Sequence, residues 1–89
     1  MRVLGVEDSP ALREQLVHEL GRAGYTVDAA ADGVEGLYAA AEYPIDVAII
    51  DLGLPKVSGL DLIRKARAQG LSMPVLILTA RDRWQDKVE

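Results

Sequence analysis

Acidic and hydroxyl side chains stand at the ends of three apolar runs in this sequence. Glu7 and Asp8 follow residues 3–6, Asp51 follows residues 45–50, and Thr79 closes residues 74–79. A charged group beside a buried segment costs free energy unless a partner or a ligand compensates it. If these runs are neighbouring strands of a parallel sheet, their carboxyl ends meet at one edge, which is where open sheets of this kind bind ligands.

Three carboxylates at one edge would repel one another and raise at least one pKa. A divalent cation would make the arrangement favourable, and oxygen ligands without His or Cys suit Mg²⁺ best. Asp51 would then stay ionised and act as a nucleophile toward an incoming phosphoryl group. The Thr79 hydroxyl could donate a hydrogen bond to a phosphoryl oxygen.

Simpler roles remain open for each of these residues taken alone. An acid after a strand is commonly a turn residue or a helix cap, and Asp8 lies close enough to Ser9 and Pro10 to cap the helix that starts there. Thr79 could be an ordinary β-branched strand end. The coincidence of all these residues at one predicted edge is what favours a phosphoryl-transfer site.

The apolar runs alternate with helical patterns along the chain. Ser9 and Ser58 are placed to cap two helices, residues 32–33 open another, and a fourth helix is predicted to start at Asp82. Strands alternating with helices predict an α/β fold with a parallel sheet, in the order βαβαβαβ plus the start of a further helix. The predicted strands cover residues 3–6, 25–30, 45–50 and 74–79.

Composition and charge limit the classes of protein that this chain can belong to. Its 89 residues predict a single domain, and 49% hydrophobic with 27% charged residues is typical of globular proteins. The absence of Cys excludes disulfides and thiolate metal sites, and the net charge of −4 argues against direct binding of nucleic acid. With no apolar run long enough to cross a bilayer and no signal-peptide pattern, a cytoplasmic location without membrane contact is expected.

Three motifs in this order resemble the receiver domain of bacterial two-component response regulators. They are VLGVEDS, IIDLGLPKVSG and LILTA, and the stretches DLGLPKVSGLDLIRKAR and PVLILTARDRWQDKVE look closest to the OmpR/PhoB class and its PhoP-like branch. The resemblance covers the whole chain. It implies a flavodoxin-like, doubly wound sheet with the strand order 2-1-3-4.

The resemblance also implies a role for each site residue. Asp51 would be the phosphoacceptor and would receive its phosphoryl group from a sensor histidine kinase. Asp8 would bind Mg²⁺ directly, Glu7 would bind it through water, and the Gly53 backbone carbonyl would be a further ligand beside Asp51. Thr79 would be the switch hydroxyl.

Two further residues match the family in the loop after the phosphoacceptor, Pro55 and Gly59, and would shape that loop. The full-length form would control a transcriptional output without being an enzyme on external substrates. The family's fifth strand, fifth helix and strand-five Lys have no counterpart here, so a C-terminally truncated receiver without an effector domain is expected. Such a chain would expose strand four and is predicted to form a homodimer or higher oligomer, through that edge or an exchanged C-terminal helix.

Three other functions are weighed against this one. A flavin or nucleotide binder would place phosphate where Glu7 and Asp8 put negative charge. A metal-dependent phosphotransferase or hydrolase would want an acid or base two residues after Asp51, where Gly53 stands. A phosphorylation-impaired receiver fragment that acts only as a binding or self-association module is the alternative that the sequence leaves open.

Overall fold

A computed structural model describes residues 1–51 and 58–78 of the chain. These residues form a four-stranded parallel sheet with three helices, and the strand order is β2-β1-β3-β4. The α/β fold and the order 2-1-3-4 expected from the sequence are therefore confirmed. The elements are β1 (Arg2–Val6), α1 (Pro10–Arg22), β2 (Thr26–Ala30), α2 (Gly33–Glu42), β3 (Val47–Asp51), α3 (Gly59–Ala68) and β4 (Val75–Leu78).

The helix starts follow the local chemistry of the sequence. The side chains of Ser9, Asp32 and Ser58 each accept a hydrogen bond from the backbone N–H three residues later, at 3.5, 2.9 and 3.2 Å. These bonds satisfy N–H groups that have no partner within the helix. After α1 and α3 the chain passes through Gly24 and Gly70 with φ of 98° and 84°, a conformation that glycine adopts without steric cost. The predicted caps Ser9 and Ser58 are confirmed, and the helix predicted to open at residues 32–33 does so with Asp32 as its cap.

The helices cover the two faces of the sheet unequally. A Cβ placed on Gly5 of β1 would meet Leu16 of α1 at 3.7 Å, whereas Val6 packs against Gly36 of α2. Because consecutive strand residues point to opposite faces, α1 lies on one face and α2 on the other, with α3 beside it. The buried core on the α2 side includes Leu4, Ala48, Ile50 and Leu62.

The buried face of α2 differs from what helical spacing predicts. The spacing predicts a buried face made of Val34, Leu37, Tyr38 and Ala41, yet Val34 is 56% and Tyr38 62% exposed. The helix instead turns its small residues inward. A Cβ on one of them, Gly36, would stand 2.9 Å from Val6, so the close approach to β1 leaves no room for larger side chains. The buried residues of α2 are Gly33, Gly36, Ala39 and Ala40.

The strand boundaries shift slightly from their predicted positions. β3 begins at Val47, two residues later than predicted, and the Ile45 N–H donates locally to the Tyr43 carbonyl at 2.8 Å. It ends on Asp51, which lies inside the strand and pairs with Leu78 of β4. Asp51 is therefore held by the sheet ladder and does not merely follow the strand. β2 and β4 each begin one residue later than predicted.

Within the described residues β4 is an edge strand of the sheet. Its Leu76 and Ile77 side chains are 59% and 46% exposed, as expected for an uncovered apolar edge. The fourth helix predicted from Asp82 lies outside the described residues. Across residues 1–51 and 58–78, no helix combines the length and the apolar character needed to cross a membrane.

Candidate metal and phosphoacceptor site

The carboxyl ends of β1 and β3 bring three acids together. The two strands are parallel neighbours with Val6 opposite Ile50, so the residues that follow, Glu7 and Asp51, reach the same edge of the sheet. Carboxylate oxygens of Glu7, Asp8 and Asp51 all lie within 4.8 Å of one another. Glu7 is 5% and Asp51 8% exposed, while Asp8 is exposed to solvent. The cluster thus has two buried members and one open to water.

Glu7 is held in place by hydrogen bonds at three points. Its N–H donates to the Ala30 carbonyl of β2 at 3.0 Å. Its carboxylate accepts from the Ser9 N–H at 3.0 Å, and its carbonyl accepts from the Arg13 guanidinium at 2.9 Å. Since Ser9 caps α1, the acidic pair is attached directly to the start of that helix. Asp8 itself is not the helix cap, so that simpler role is excluded.

Burial and neighbouring charge together raise the pKa of Glu7. Burial is the larger cause, and a hydrogen bond with Asp8 and the negative charges of Asp51 and Asp8 add to it, against the lowering effect of the Ser9 N–H. The sequence predicts that repulsion raises at least one pKa in the cluster. The shift is found at Glu7, although desolvation contributes more than repulsion.

The remaining predicted site residues are placed as follows. Gly53, Pro55 and Thr79 lie outside the described residues. Gly59 is the first residue of α3 and is buried, directly after the capping Ser58.

Sequence reasoning missed Arg13 as part of this site. Its side chain reaches back from α1 to the Glu7 carbonyl, across the turn that carries the acidic pair. One signal was available: α1 has no acid in its first turn and carries a cation immediately after it, although the positive end of the helix dipole disfavours cations there. A residue placed against that preference often has another partner.

A parallel sheet of this order, with carboxylates gathered where the strand order reverses, is the arrangement expected of a two-component receiver domain. The sequence matches the response regulator receiver domain family over residues 3–89, and the chain belongs to that family. The nucleotide-binding and hydrolase alternatives are therefore set aside.

Among characterised proteins, the chain resembles PhoP regulators along its whole length. It is 58% identical to the two-component response regulator PhoP of Pseudomonas aeruginosa and 54% identical to the virulence transcriptional regulatory protein PhoP of Salmonella typhimurium. Both matches cover 100% of this chain. They cover 40% of each relative, so the chain spans less than half the length of these proteins. The PhoP-like branch expected from the sequence is confirmed.

Solved receiver structures share the fold. The response regulator TrrA of Thermotoga maritima, in complex with Mg²⁺ and BeF, is 33% identical with a TM-score of 0.84, covering 96% of this chain and 74% of that one. TrrA in complex with the histidine kinase ThkA is 35% identical with a TM-score of 0.81, covering 89% and 68%.

Proposed function

We propose that this chain accepts a phosphoryl group on Asp51 from a sensor histidine kinase, with Mg²⁺ bound at the acidic cluster. The observation that carries the proposal is the convergence of Glu7, Asp8 and Asp51 within 4.8 Å at the switch point of the sheet. The similarity to TrrA, a regulator solved both with Mg²⁺ and BeF and with a histidine kinase, supports the metal and the partner.

The cluster suits Mg²⁺ by its donor atoms and its dimensions. All three donors are carboxylates, the hard oxygen ligands that Mg²⁺ prefers, and exposed Asp8 leaves the site open to the waters that this ion retains. Two oxygens on one Mg²⁺ at about 2.1 Å can lie no more than roughly 4.2 Å apart. A spread of up to 4.8 Å is compatible with a mixture of direct and water-mediated ligands, and the family resemblance suggests Asp8 and Asp51 as the direct ones with Glu7 acting through water.

Asp51 would supply the nucleophile. One of its carboxylate oxygens would form the new O–P bond while the N–P bond to the kinase imidazole breaks, leaving the imidazole to take up a proton. A bound Mg²⁺ would neutralise phosphoryl charge during this transfer. The ladder position of Asp51 in β3 fixes its backbone, and its 8% exposure limits the freedom of the side chain, which supports a positioned nucleophile. Gly53 as a carbonyl ligand and Thr79 as the switch hydroxyl remain predictions.

In a longer protein this receiver would control a transcriptional output, as the names of its PhoP relatives suggest. Apart from its own phosphorylation and dephosphorylation, it would catalyse no reaction on external substrates. The cytoplasmic location and the lack of direct nucleic-acid contact also stay predictions.

Intact-mass spectrometry with a small acyl phosphate as phosphodonor would test the proposal. We expect one phosphoryl adduct that requires Mg²⁺ and is lost in Asp51→Asn. Asp46→Asn is the matched control, since Asp46 precedes the opposite end of β3 and Asn can still accept the 2.7 Å hydrogen bond from the Arg2 N–H. No adduct in the folded wild-type chain, or an adduct that survives in Asp51→Asn, would contradict the assignment.

A second candidate function, self-association, is favoured by the exposed edge of β4. For a polypeptide of these 89 residues we expect a homodimer or higher oligomer through that edge, because uncovered apolar edge strands pair readily with other chains. Sedimentation analysis over a concentration series should show Leu76→Lys dissociating the oligomer, while Leu60→Lys on the exposed side of α3 leaves it intact.

Two outcomes of that measurement would count against the β4 edge. A wild-type chain that stays monomeric at high concentration would exclude self-association. An oligomer that persists in Leu76→Lys would show that the contact lies elsewhere in the chain, for example in an exchanged C-terminal helix.

A further inference from the structure

We propose that Arg13 is a positioning residue for the metal site, which it serves by holding the backbone of Glu7. The inference rests on the proposed function, because it concerns Mg²⁺ binding at the same acidic cluster. Its physical basis is the 2.9 Å hydrogen bond from the Arg13 guanidinium to the Glu7 carbonyl. Arg13 touches none of the reacting atoms and would act only through Glu7 and its neighbours.

Arg13 bonds both ends of the segment 7–9 that joins β1 to α1, once through the ordinary first backbone bond of the helix and once through its side chain. Its backbone N–H donates to the Ser9 carbonyl at 2.9 Å, and its side chain bonds the Glu7 carbonyl two residues earlier. The short segment 7–9, which carries both acids, is thereby fixed from the helix side at both of its ends. From the sheet side it is fixed by the bond from the Glu7 N–H to Ala30.

Loss of the Arg13–Glu7 hydrogen bond should affect metal binding more than folding. Asp8, the exposed member of the cluster, lies between Glu7 and Ser9, and the contacts of these two neighbours fix the position of its backbone. If the Glu7 carbonyl were released, the peptide plane between Glu7 and Asp8 could rotate, and the three carboxylates would spend less time within reach of one ion. Groups that orient metal ligands in this way commonly change metal affinity by about 10- to 100-fold when removed.

If the role of Arg13 were purely electrostatic, its removal would change Mg²⁺ affinity in the opposite direction. The Arg13 guanidinium is a permanent positive charge, so its removal would weaken the repulsion of an incoming cation and tighten Mg²⁺ binding. The positioning role predicts weaker binding instead. Solvent screening reduces the charge effect at this half-buried side chain, whereas loss of the hydrogen bond frees the turn itself.

Isothermal titration with Mg²⁺ at fixed pH and ionic strength separates the two roles. Arg13→Met keeps the apolar stem and removes every donor, while Arg13→Lys keeps the positive charge and an ammonium donor. Arg22→Met is the matched control, an exposed arginine on the same helix that pairs with Glu19 at 3.7 Å. The carbonyl ¹³C shift of labelled Glu7 reports the hydrogen bond directly, and urea unfolding confirms that each variant is folded.

We expect Arg13→Met to weaken Mg²⁺ binding about tenfold and to move the Glu7 carbonyl shift. Arg13→Lys should recover most of the affinity, and Arg22→Met should match the wild type. Unchanged or tighter binding in Arg13→Met, or no recovery in Arg13→Lys, would overturn the inference. Failure of the wild-type chain to bind Mg²⁺ would instead refute the proposed function, so the two failures are distinguishable.

Discussion

Carboxylate oxygens of Glu7 and Asp51 lie within 4.8 Å of each other at the ends of the neighbouring strands β1 and β3. Both residues are buried, at 5% and 8% exposure. Burial and the neighbouring negative charge therefore disfavour the ionised form of Glu7, and a cation bound between the acids would oppose both effects.

Glu7→Gln should stabilise the metal-free chain and weaken Mg²⁺ binding. The amide removes the buried charge but can still accept the hydrogen bond from the Ser9 N–H. We expect a higher urea midpoint without Mg²⁺ and an affinity for Mg²⁺ lower by about tenfold, as for other groups that support a metal site through water. Glu14→Gln, on the exposed side of α1, should change neither quantity. A lower midpoint in Glu7→Gln would show that the ionised carboxylate stabilises the fold.

The stability contribution of Glu7 should depend on pH in a defined direction. Because the folded-state pKa of Glu7 is raised above its usual value of 4.5, the folded chain holds this proton more tightly than the unfolded chain. The contribution is therefore fully present below the usual value and is lost as pH rises through the raised pKa. Urea unfolding of wild type and Glu7→Gln over about pH 4 to 7 should show the advantage of the variant growing with pH.

Mg²⁺ affinity should rise over the same pH range, since the ion competes with the Glu7 proton. A difference between wild type and Glu7→Gln that does not vary with pH would contradict the raised pKa.

Gly36→Ala and Gly21→Ala should have opposite effects on stability. The new methyl group at position 36 would stand 2.9 Å from Val6 Cγ2 and 3.2 Å from Leu62, two side chains that have no room to yield. Overpacking of this kind costs about 1–3 kcal/mol, partly offset by the roughly 1 kcal/mol that alanine gains over glycine in a helix. A Cβ at Gly21 in α1 meets nothing within 4 Å, so this substitution should show only the helix-propensity gain of alanine over glycine.

Urea denaturation of the two glycine variants provides the measurement. We expect the midpoint of Gly36→Ala to fall and that of Gly21→Ala to rise. A stabilised Gly36→Ala would mean that α2 can move away from β1 without cost.

Arg2 should be a stabilising residue at the amino end of the sheet. Its guanidinium donates two hydrogen bonds to Asp28 of β2, at 2.5 and 3.1 Å, and stacks 4.7 Å from the centre of the Tyr43 ring. The hydrogen bond to Asp28 is the main cause that raises the pKa of Arg2. Bidentate pairs that also contact an aromatic ring are the ion pairs most expected to contribute.

Arg2→Met should lower the urea midpoint more than Arg64→Met does. Arg64 pairs with Asp61 at 3.1 Å, but both side chains are exposed, at 76% and 53%, and such pairs usually change stability by less than about 1 kcal/mol. A higher salt concentration should reduce the difference between the urea midpoints of the two variants only slightly, because the Arg2–Asp28 pair is partly buried. Equal effects of the two substitutions would show that the Arg2 contacts add nothing.

Much of this fold follows from local patterns in the sequence. Apolar runs alternating with capped helices predict a parallel α/β sheet, and Ser9 and Ser58 cap helices as expected because capping depends on a few adjacent residues. The acidic cluster is also predictable, since in a parallel sheet the residues after neighbouring strands must share an edge. The motifs themselves carried the family assignment.

Other features were decided only when the elements packed. Helical spacing placed Val34 and Tyr38 of α2 in the core, but the close approach of α2 to Val6 turned the glycines and alanines inward. Local spacing cannot encode that choice, because it depends on the distance between a helix and a strand far apart in sequence. The tie from Arg13 to Glu7 has the same origin, since a side chain can reach back to a carbonyl only once strand, turn and helix have taken their places.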